Sequence, residues 1–285
     1  MNVVVFQPPY PADGTTTAAE DCLRWMQAHL DRLSPGAQRW VLLPEYANAP
    51  GLNTRQATLH FAEGPGRDFL QTVGQTARRI RCLIGLAAVV QHGDDWFNRG
   101  LVFGETGQVA FSYDKIHLTG AEKEELGLTP GTRLSVFQNH TAKAGFAICF
   151  DQYFPEHFEA LARLRADIVL CPSYQRSESA ERIAVIARAR ALDSGTYVVR
   201  SSYAMQHRHR GGRSLVVAPD ATILADAGQN PCVIRTTFDP ARKFVKPSSH
   251  GHPPVEHRSL IERSRATSKT NALAPGGESH GTPPS

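Results

Sequence analysis

The 285-residue sequence contains few cysteines, no long apolar run and no strong excess of charge of either sign. Its five cysteines are widely spaced and form no CxxC pair, which argues against a disulfide framework or a zinc site and favours a reducing, cytoplasmic compartment. Because no stretch of about 18 apolar residues occurs, the sequence predicts no membrane span. The first residues also lack the basic segment that begins a signal peptide.

The formal net charge of +4 is concentrated near the C-terminus, where residues 240–285 carry seven Lys and Arg against three Asp and Glu. Nucleic-acid-binding domains more often cluster basic residues among aromatic ones, so we expect neither a nucleic acid nor a membrane as partner. After Lys246 the composition turns to Pro, Ser, Gly and His. This change predicts a domain over residues 1–246 and a tail over residues 247–285 that is disordered or forms an arm.

Apolar runs of strand length alternate with amphipathic helical segments throughout the predicted domain. The predicted strands are Val3–Gln7, Trp40–Pro44, Cys82–Gln91, Gly100–Phe103, Val109–Asp114, Ala144–Phe150, Ile168–Pro172, Tyr197–Ser201, Ser214–Ala218 and Cys232–Phe238. The predicted helices are Ala18–Leu33, Gly66–Ile80, Pro155–Arg165 and Ser179–Ser194, and the sequences GETG and PDAT predict hairpin turns. This pattern indicates an α/β fold in which sheets pack on each other between helices.

Cys149 ends a predicted buried strand and precedes a turn and a helix that begins at Pro155. A residue at such a strand end can face a cleft, as the nucleophile does in other hydrolases. A free cysteine in a strand is more often a small buried hydrophobe, so this position alone decides nothing. Cys171 also ends a strand, but no acidic, helix-initiating segment follows it, and we expect at most a role in lining a pocket.

Two charged residues follow other predicted strands. Glu45 comes after the apolar run Trp40–Leu43, where burial would raise the pKa of a carboxyl group and make it a general base. Lys115 comes after Val109–Asp114, where a fixed ammonium could stabilise an oxyanion. Each has an ordinary alternative, a solvated loop acid for Glu45 and a surface lysine beside Asp114 for Lys115.

Taken together, these segments resemble the carbon–nitrogen hydrolase (nitrilase) superfamily in order and spacing. The resemblance rests on LLPE at 42–45, YDKIHL at 113–118, TPG at 129–131 and AICFDQYFPE at 147–156, with DIVLCPSY and ARARALDSGTYVVRSSY beyond them. It covers residues 1 to about 240. It implies a four-layer α-β-β-α sandwich (nitrilase-like) that assembles as a homodimer or a higher homo-oligomer.

The resemblance also implies a Glu–Lys–Cys triad, with Glu45 as base, Lys115 as oxyanion stabiliser and Cys149 as nucleophile. Many members carry a second glutamate before the Pro-Gly. By its distance to Pro130, Glu124 matches best, and the neighbouring glutamates at 122 and 125 stay open as alternatives. The backbone N–H of Phe150 is expected to complete the oxyanion site.

The implied activity is hydrolysis of an amide or N-carbamoyl amide through a thioester, without metal or organic cofactor. Nitrile-cleaving members have Trp-Glu after the cysteine, whereas this chain has Phe150-Asp151, closer to the amidase branch. Tyr174, Tyr153 and His117 are candidate substrate-binding residues for a small polar substrate. Nitrile hydrolysis, acyl transfer to an amine and a non-catalytic binding protein are the alternatives.

Overall fold

The computed structural model describes residues 1–36, 40–205, 207, 209–248, 250–261 and 263. Its helices are α1 (Thr16–Asp31), α2 (Arg55–Glu63), α3 (Pro65–Ile80), α4 (Pro155–Arg163) and α5 (Ala180–Ser194). Its strands are β1 (Asn2–Gln7), β2 (Trp40–Leu42), β3 (Leu83–His92), β4 (Asp95–Phe103), β5 (Val109–Asp114), β6 (Phe137–Gln138), β7 (Lys143–Phe146), β8 (Ile168–Pro172), β9 (Tyr197–Ser201), β10 (Leu215–Val217), β11 (Ile223–Asp226), β12 (Cys232–Thr237), β13 (Val245–Lys246) and β14 (Val255–Glu256).

Most strands belong to two six-stranded sheets, ordered β12-β1-β2-β3-β4-β5 and β11-β10-β9-β8-β7-β6. Each sheet has three parallel strands at its centre, β1-β2-β3 in the first and β7-β8-β9 in the second. Antiparallel strands flank them, among them the β3-β4-β5 meander and the β9-β10-β11 meander. Two of the candidate site residues follow the carboxyl ends of parallel strands, one after β2 at the centre of the first triplet and one after β7 at the side of the second.

Alternation along single strands explains the layers, because successive side chains point to opposite faces of a sheet. In β1, Val3 and Val5 pack into the cluster between the sheets, whereas Val4 and Phe6 pack into a second cluster with α1 and α3. In β8, Leu170 faces the sheet interface while its neighbours contact residues of α4 and α5. The molecule is thus the α-β-β-α sandwich expected from the sequence.

The two sheets approach closely beside the site. A Cβ atom added to Gly100 in β4 would lie 2.9 Å from the ring of Phe146, at the end of β7. A side chain at position 100 would force the sheets apart, since atoms in a close-packed interior cannot approach to that distance. The absence of a side chain here allows the ring to pack in the core between the sheets, in the same cluster as Cys149.

The sequence prediction gave the type of the long elements correctly and missed shorter ones. Helix α2 was not predicted, although Thr54 caps it by accepting a hydrogen bond from the Ala57 N–H at 3.3 Å. The strands β6, β11, β13 and β14 were also missed, and predicted β7 ran too far, because the strand ends at Phe146 and Cys149 opens a 3₁₀ turn. Two- to four-residue strands carry little periodicity for a prediction to detect.

The predicted boundary at Lys246 falls inside a hairpin, since β13 pairs with β14 across it. Beyond that hairpin, Arg258 is only 5% exposed and donates a hydrogen bond to the carbonyl of Ala166. The segment around Arg258 therefore packs on the domain, whereas the described residues 247–254 are exposed, and residues 264–285 lie outside the described residues. Among the helices that the structure describes, none has the length and apolar character needed to cross a membrane.

Candidate active site

The three candidate catalytic residues follow strands of both sheets and meet at the base of one cavity of about 390 Å³. Glu45 lies three residues after the end of β2, Lys115 directly after β5 and Cys149 three residues after β7. Glu45 and Lys115 are each 1% exposed, and Cys149 is 8% exposed. The loop carrying Lys115 is tied to the sheet, because the Lys115 N–H donates to the carbonyl of Asn98 at 2.9 Å.

Lys115 is shared between two buried carboxylates. Its Nζ lies 2.8 Å from Oε1 of Glu45 and 2.9 Å from both carboxylate oxygens of Glu122. A buried ammonium is costly unless it is paired, and here two acids compensate it. Its position is therefore fixed from two sides.

Asn98, on β4, bridges the same two acids. Its Nδ2 donates to Oε1 of Glu45 at 2.8 Å and to Oε1 of Glu122 at 2.7 Å. Tyr46 OH adds a bond of 3.2 Å to Oε1 of Glu122. The two carboxylates are thus held side by side by Asn98, and Tyr46, in the loop after β2, further fixes Glu122.

A capping box holds Glu122 in place. Thr119 Oγ1 accepts from the Glu122 N–H at 3.3 Å, and Oε2 of Glu122 accepts from the Thr119 N–H at 2.8 Å and from its hydroxyl at 3.0 Å. The following turn, Ala121–Glu125, is a single π-helical turn, in which the Leu126 N–H donates to the carbonyl of Ala121 at 3.0 Å. π-turns of this kind often occur at functional sites.

Cys149 has a left-handed backbone conformation, with φ of 44°. Such a conformation costs a non-glycine residue about 1–3 kcal/mol and persists only where the surroundings enforce it. The thiol lies close enough to the Glu45 carboxylate and to the backbone N–H of Tyr174 for both to shift its pKa. The turn therefore places Cys149 at the cavity, beside the candidate base.

Asp151 braces this turn from behind. Its Oδ2 accepts from the Ile148 N–H at 2.8 Å and from Tyr113 OH at 2.9 Å, and its Oδ1 accepts from the backbone N–H and ring Nδ1 of His117 at 3.1 and 2.8 Å. One buried carboxylate thus ties the strand before Cys149 to the loop after Lys115. His117, Asp151 and His157 are close enough for their donor atoms to surround an ion. However, the Asp151 oxygens are occupied by N–H and O–H donors, so the arrangement fits a hydrogen-bonded brace better than a metal site.

The pKa values of Glu45 and Glu122 are shifted in opposite directions. Burial raises the pKa of Glu45 above its usual value, in spite of the opposing effect of Lys115. Burial acts on Glu122 in the same direction, but the attraction of Lys115 and the hydrogen bonds from Lys115 and Thr119 outweigh it and lower the pKa of Glu122. Burial lowers the pKa of Lys115, but the two carboxylates outweigh this and leave it well above its usual value.

The pKa of the Cys149 thiol is also raised, first by burial and then by the neighbouring charge of Glu45. Cys149, the candidate nucleophile, therefore rests as a thiol and would need a base at the moment of attack. Glu45, which lies beside it and has a raised pKa, is suited to that role.

The structure brings together most of the residues that the sequence singled out and places two of them elsewhere. Phe150, Tyr153 and Tyr174 line the cavity together with Glu45, Lys115 and Cys149. Glu124 is exposed, whereas Glu122, one of the alternatives left open, lies 2.9 Å from Lys115 Nζ. His117, expected to bind substrate, is not among the cavity-lining residues and faces Asp151 instead.

Sequence reasoning missed the hydrogen-bonding supports of the site. Asn98 is a polar residue in the middle of a strand, within the segment WFNRG. Because a buried amide is seldom left unpaired, such a residue indicates hydrogen-bonding partners inside the fold. Thr119 and Glu122 have the spacing of a capping box, T-x-x-E, which is also visible in the sequence. The sequence singled out Asp151 only as part of the pair Phe150-Asp151 and indicated no structural role for it.

The profile of the carbon–nitrogen hydrolase family matches residues 3–242 of the chain. Among curated proteins, the deaminated glutathione amidase of Homo sapiens is 30% identical over 222 residues, covering 70% of this chain and 66% of the human protein. An omega-amidase of Xenopus laevis is 28% identical over 211 residues, covering 70% and 76%. The chain therefore spans about two thirds to three quarters of the length of these relatives.

Among solved structures, an amidase from Nesterenkonia sp. is similar with a TM-score of 0.74 at 20% sequence identity, covering 96% of both chains. A mutant of the same amidase, described as a member of the nitrilase superfamily, gives the same TM-score at 19% identity. This structural similarity establishes the fold.

Proposed function

The chain belongs to the carbon–nitrogen hydrolase family, and from this premise we propose that it is a cysteine-dependent amidase. It cleaves a non-peptide C–N bond of a small amide-like substrate through a thioester on Cys149. The observation that carries the proposal is the buried contact of Lys115 Nζ with Oε1 of Glu45 at 2.8 Å, at the base of the cavity that also exposes the thiol. The names of the related amidases support amide rather than nitrile hydrolysis.

The first half of the reaction forms the thioester. The Cys149 sulfur attacks the amide carbon while Glu45 takes the thiol proton. The resulting oxyanion is stabilised by the Lys115 ammonium and by the backbone N–H of Phe150. When the intermediate collapses, the C–N bond breaks, and Glu45 returns the proton to the leaving nitrogen, so that ammonia or an amine departs.

The second half consumes water. Glu45 removes a proton from the water as its oxygen attacks the thioester carbon, and the same oxyanion site is used again. The C–S bond then breaks, the proton passes to the sulfur and a carboxylic acid leaves. Through both halves Glu122 stays ionised and, together with Asn98, holds Lys115 and Glu45 in position.

The proposal includes a cytoplasmic location and a homodimeric or larger assembly. The substrate can be an amide or an N-carbamoyl amide, and both would pass through the steps above. A nitrile, or transfer of the acyl group to an amine, would use the same triad. Their products differ, so product analysis separates them.

The test is intact-protein mass spectrometry during turnover of small amides, N-carbamoyl amines and nitriles, with ammonia release measured in parallel. We expect an acyl adduct on Cys149 and release of ammonia, both lost in Cys149→Ala. Cys171→Ala is the matched control, because Cys171 is buried away from the cavity and its loss should leave the adduct intact. Full turnover by Cys149→Ala would refute the proposal.

A further inference from the structure

Tyr203 follows β9 in the second sheet, yet its hydroxyl reaches the loop of the first sheet that carries the candidate base. The hydroxyl donates to the backbone carbonyl of Glu45 at 2.8 Å, and the side chain is fully buried. Burial raises the pKa of this phenol well above its usual value, so the hydroxyl keeps its proton and remains a donor. One buried hydrogen bond thus connects the end of β9 to the backbone of the base.

The backbone on either side of Glu45 is held by the first sheet alone. The Pro44 carbonyl accepts from the Ala87 N–H, on β3, at 3.2 Å, and the Ala47 N–H donates to the Ala87 carbonyl at 2.9 Å. Between these two bonds the chain turns, and the carbonyl of Glu45 faces the second sheet, where Tyr203 binds it. The bond to Tyr203 therefore restrains a part of the loop that the bonds to β3 do not hold.

This part of the loop is strained. Tyr46, the residue after the base, has a φ of 55°, in the left-handed region that a side chain disfavours and that persists only where the surroundings enforce it. The φ angle describes how the planar peptide between Glu45 and Tyr46 is turned about the N–Cα bond of Tyr46. The carbonyl that Tyr203 binds belongs to this same peptide, so the hydroxyl opposes the rotation that would relieve the strain.

Both residues of the strained peptide have side chains in the site. Oε1 of Glu45 lies 2.8 Å from Lys115 Nζ, and the hydroxyl of Tyr46 donates to Oε1 of Glu122 at 3.2 Å. Rotation of the peptide would move the Cα atoms that carry these side chains. The Glu45 carboxylate would then change its position relative to the Cys149 thiol, which lies beside it.

Tyr203 is itself held rigidly. The N–H of the next residue, Ala204, donates to the carbonyl of Pro8 at 2.8 Å, and the Ala204 carbonyl accepts from the Tyr10 N–H at 3.0 Å. The ring packs edge-on against Tyr174, with ring centroids 5.4 Å apart and an interplanar angle of 83°. A donor fixed in this way can set the position of its acceptor, because it does not move with the loop.

We propose that Tyr203 is a positioning residue: its hydroxyl holds the peptide between Glu45 and Tyr46 and thereby places the Glu45 carboxylate beside the Cys149 thiol. The inference rests on the proposed amidase function, which assigns Glu45 as the base. Tyr203 is not among the residues that line the cavity, so it acts through Glu45 and not on the substrate.

The first test is Tyr203→Phe, which removes the hydroxyl and keeps the buried ring. In steady-state ammonia release, assayed well below the melting temperature, we expect kcat to fall about tenfold, the order expected when a buried carbonyl loses its donor. KM should stay within about twofold, because Glu45 acts in the chemical steps and the cavity wall is unchanged. A lower melting temperature with kcat unchanged would show a merely structural role and overturn the inference.

Tyr197→Phe is the matched control. Tyr197 is also a buried tyrosine of the second sheet, but its ring stacks on Phe238, with centroids 4.1 Å apart, and it does not line the cavity. Its substitution removes the same hydroxyl group and should leave kcat and KM within about twofold of the wild type.

The second test does not depend on turnover. It measures alkylation by iodoacetamide at pH 7, followed by mass spectrometry on the peptide that contains Cys149. Because the thiol needs a base, Tyr203→Phe should slow the reaction about tenfold in the wild-type background. In a Glu45→Gln background, where the base is already lost, it should change the rate by less than about twofold. Equal slowing in both backgrounds would show that the hydroxyl does not act through Glu45 and would overturn the inference.

Failure of the inference and failure of the proposed function are distinguishable. If the wild-type protein released ammonia and Tyr203→Phe kept its full kcat, the inference would fail while the amidase proposal stood. If the wild-type protein released no ammonia from any amide, the amidase proposal would fail, and the alkylation rates would still decide whether Tyr203 positions Glu45.

Discussion

Replacing Glu122 by Gln is the most informative perturbation of the site, because the exposed Glu124 supplies a matched control on the same turn. The substitution keeps the shape of the side chain but removes the charge that lies 2.9 Å from Lys115 Nζ. In the glutamine, one carboxylate oxygen is replaced by an NH₂ group. Depending on the orientation of the amide, this group faces the Lys115 ammonium or the Thr119 N–H, both of which are donors. Either orientation leaves a buried donor without its acceptor, at a cost of about 1–3 kcal/mol.

Part of this lost stabilisation should also raise the activation barrier of the reaction. Breaking one side of a buried ion pair costs about 3–5 kcal/mol, but Glu45 remains to hold Lys115. We therefore expect kcat to fall about 100-fold, which corresponds to about 2.7 kcal/mol of transition-state stabilisation. Glu124→Gln should stay within about twofold of the wild type.

The pH profile separates this effect from a merely structural one. The charge of Glu122 helps to keep the pKa of Glu45 raised, so its removal should lower the pKa of Glu45. In Glu122→Gln the acid limb of the kcat/KM profile should therefore move to lower pH. Steady-state ammonia release between pH 4 and 9, with calorimetry to show that the variant is folded at the assay temperature, gives both readouts. Activity within threefold of the wild type, or an unmoved acid limb, would refute the reasoning.

Three further outcomes are expected. In the wild-type protein kcat/KM should fall as the pH drops through the raised pKa of Glu45, at a pH above the range of an ordinary glutamate. Because the pKa of the Cys149 thiol is also raised, this thiol should produce no alkaline limb up to about pH 9. A pH titration of kcat/KM checks both expectations. Asp151→Asn should lower kcat about 10- to 100-fold and reduce stability by about 1–3 kcal/mol in denaturant unfolding, because an amide cannot accept all of the bonds that the carboxylate now accepts. Gly145→Ala should destabilise the fold by about 1–3 kcal/mol with kcat unchanged in the folded fraction, since its Cβ would lie 2.4 Å from Cδ2 of Leu161, and a thermal melt beside an activity assay measures the two separately.

The sequence predicted the long elements and two of the candidate site residues for the same reason. Buried parallel strands appear in a sequence as apolar runs, and a charged or nucleophilic residue at the end of such a run is easy to recognise. Glu45 and Cys149 have this position after β2 and β7, whereas Lys115 follows β5, an antiparallel and largely exposed strand, and was singled out with the help of the motif YDKIHL. That the three strand ends meet follows from the stacking of the two sheets, which the family resemblance supplied and periodicity alone could not.

The sequence favoured Glu124 as the second glutamate by its distance to Pro130 and left Glu122 and Glu125 open, whereas the structure places Glu122 beside Lys115. The π-turn over Ala121–Glu125 displaces side chains from the positions that a 3.6-residue repeat would give. Distance to Pro130 along the sequence is then a poor guide to which acid faces inward. The capping spacing from Thr119 to Glu122 is the better signal, because it fixes the side chain to a backbone N–H three residues earlier.

Two carboxylates share Lys115, and their hydrogen bonds decide which of them moves a proton. Glu122 accepts bonds from Lys115, from Asn98, from Tyr46 and from the N–H and hydroxyl of Thr119. Each donor favours the ionised form, so protonation of Glu122 would have to displace several of them. Glu45 accepts at Oε1 from Lys115 and Asn98, and the Cys149 thiol lies beside it. Because the environments push the two pKa values in opposite directions, the proposed mechanism assigns the proton of the thiol to Glu45 and leaves Glu122 as the fixed counter-charge of the lysine.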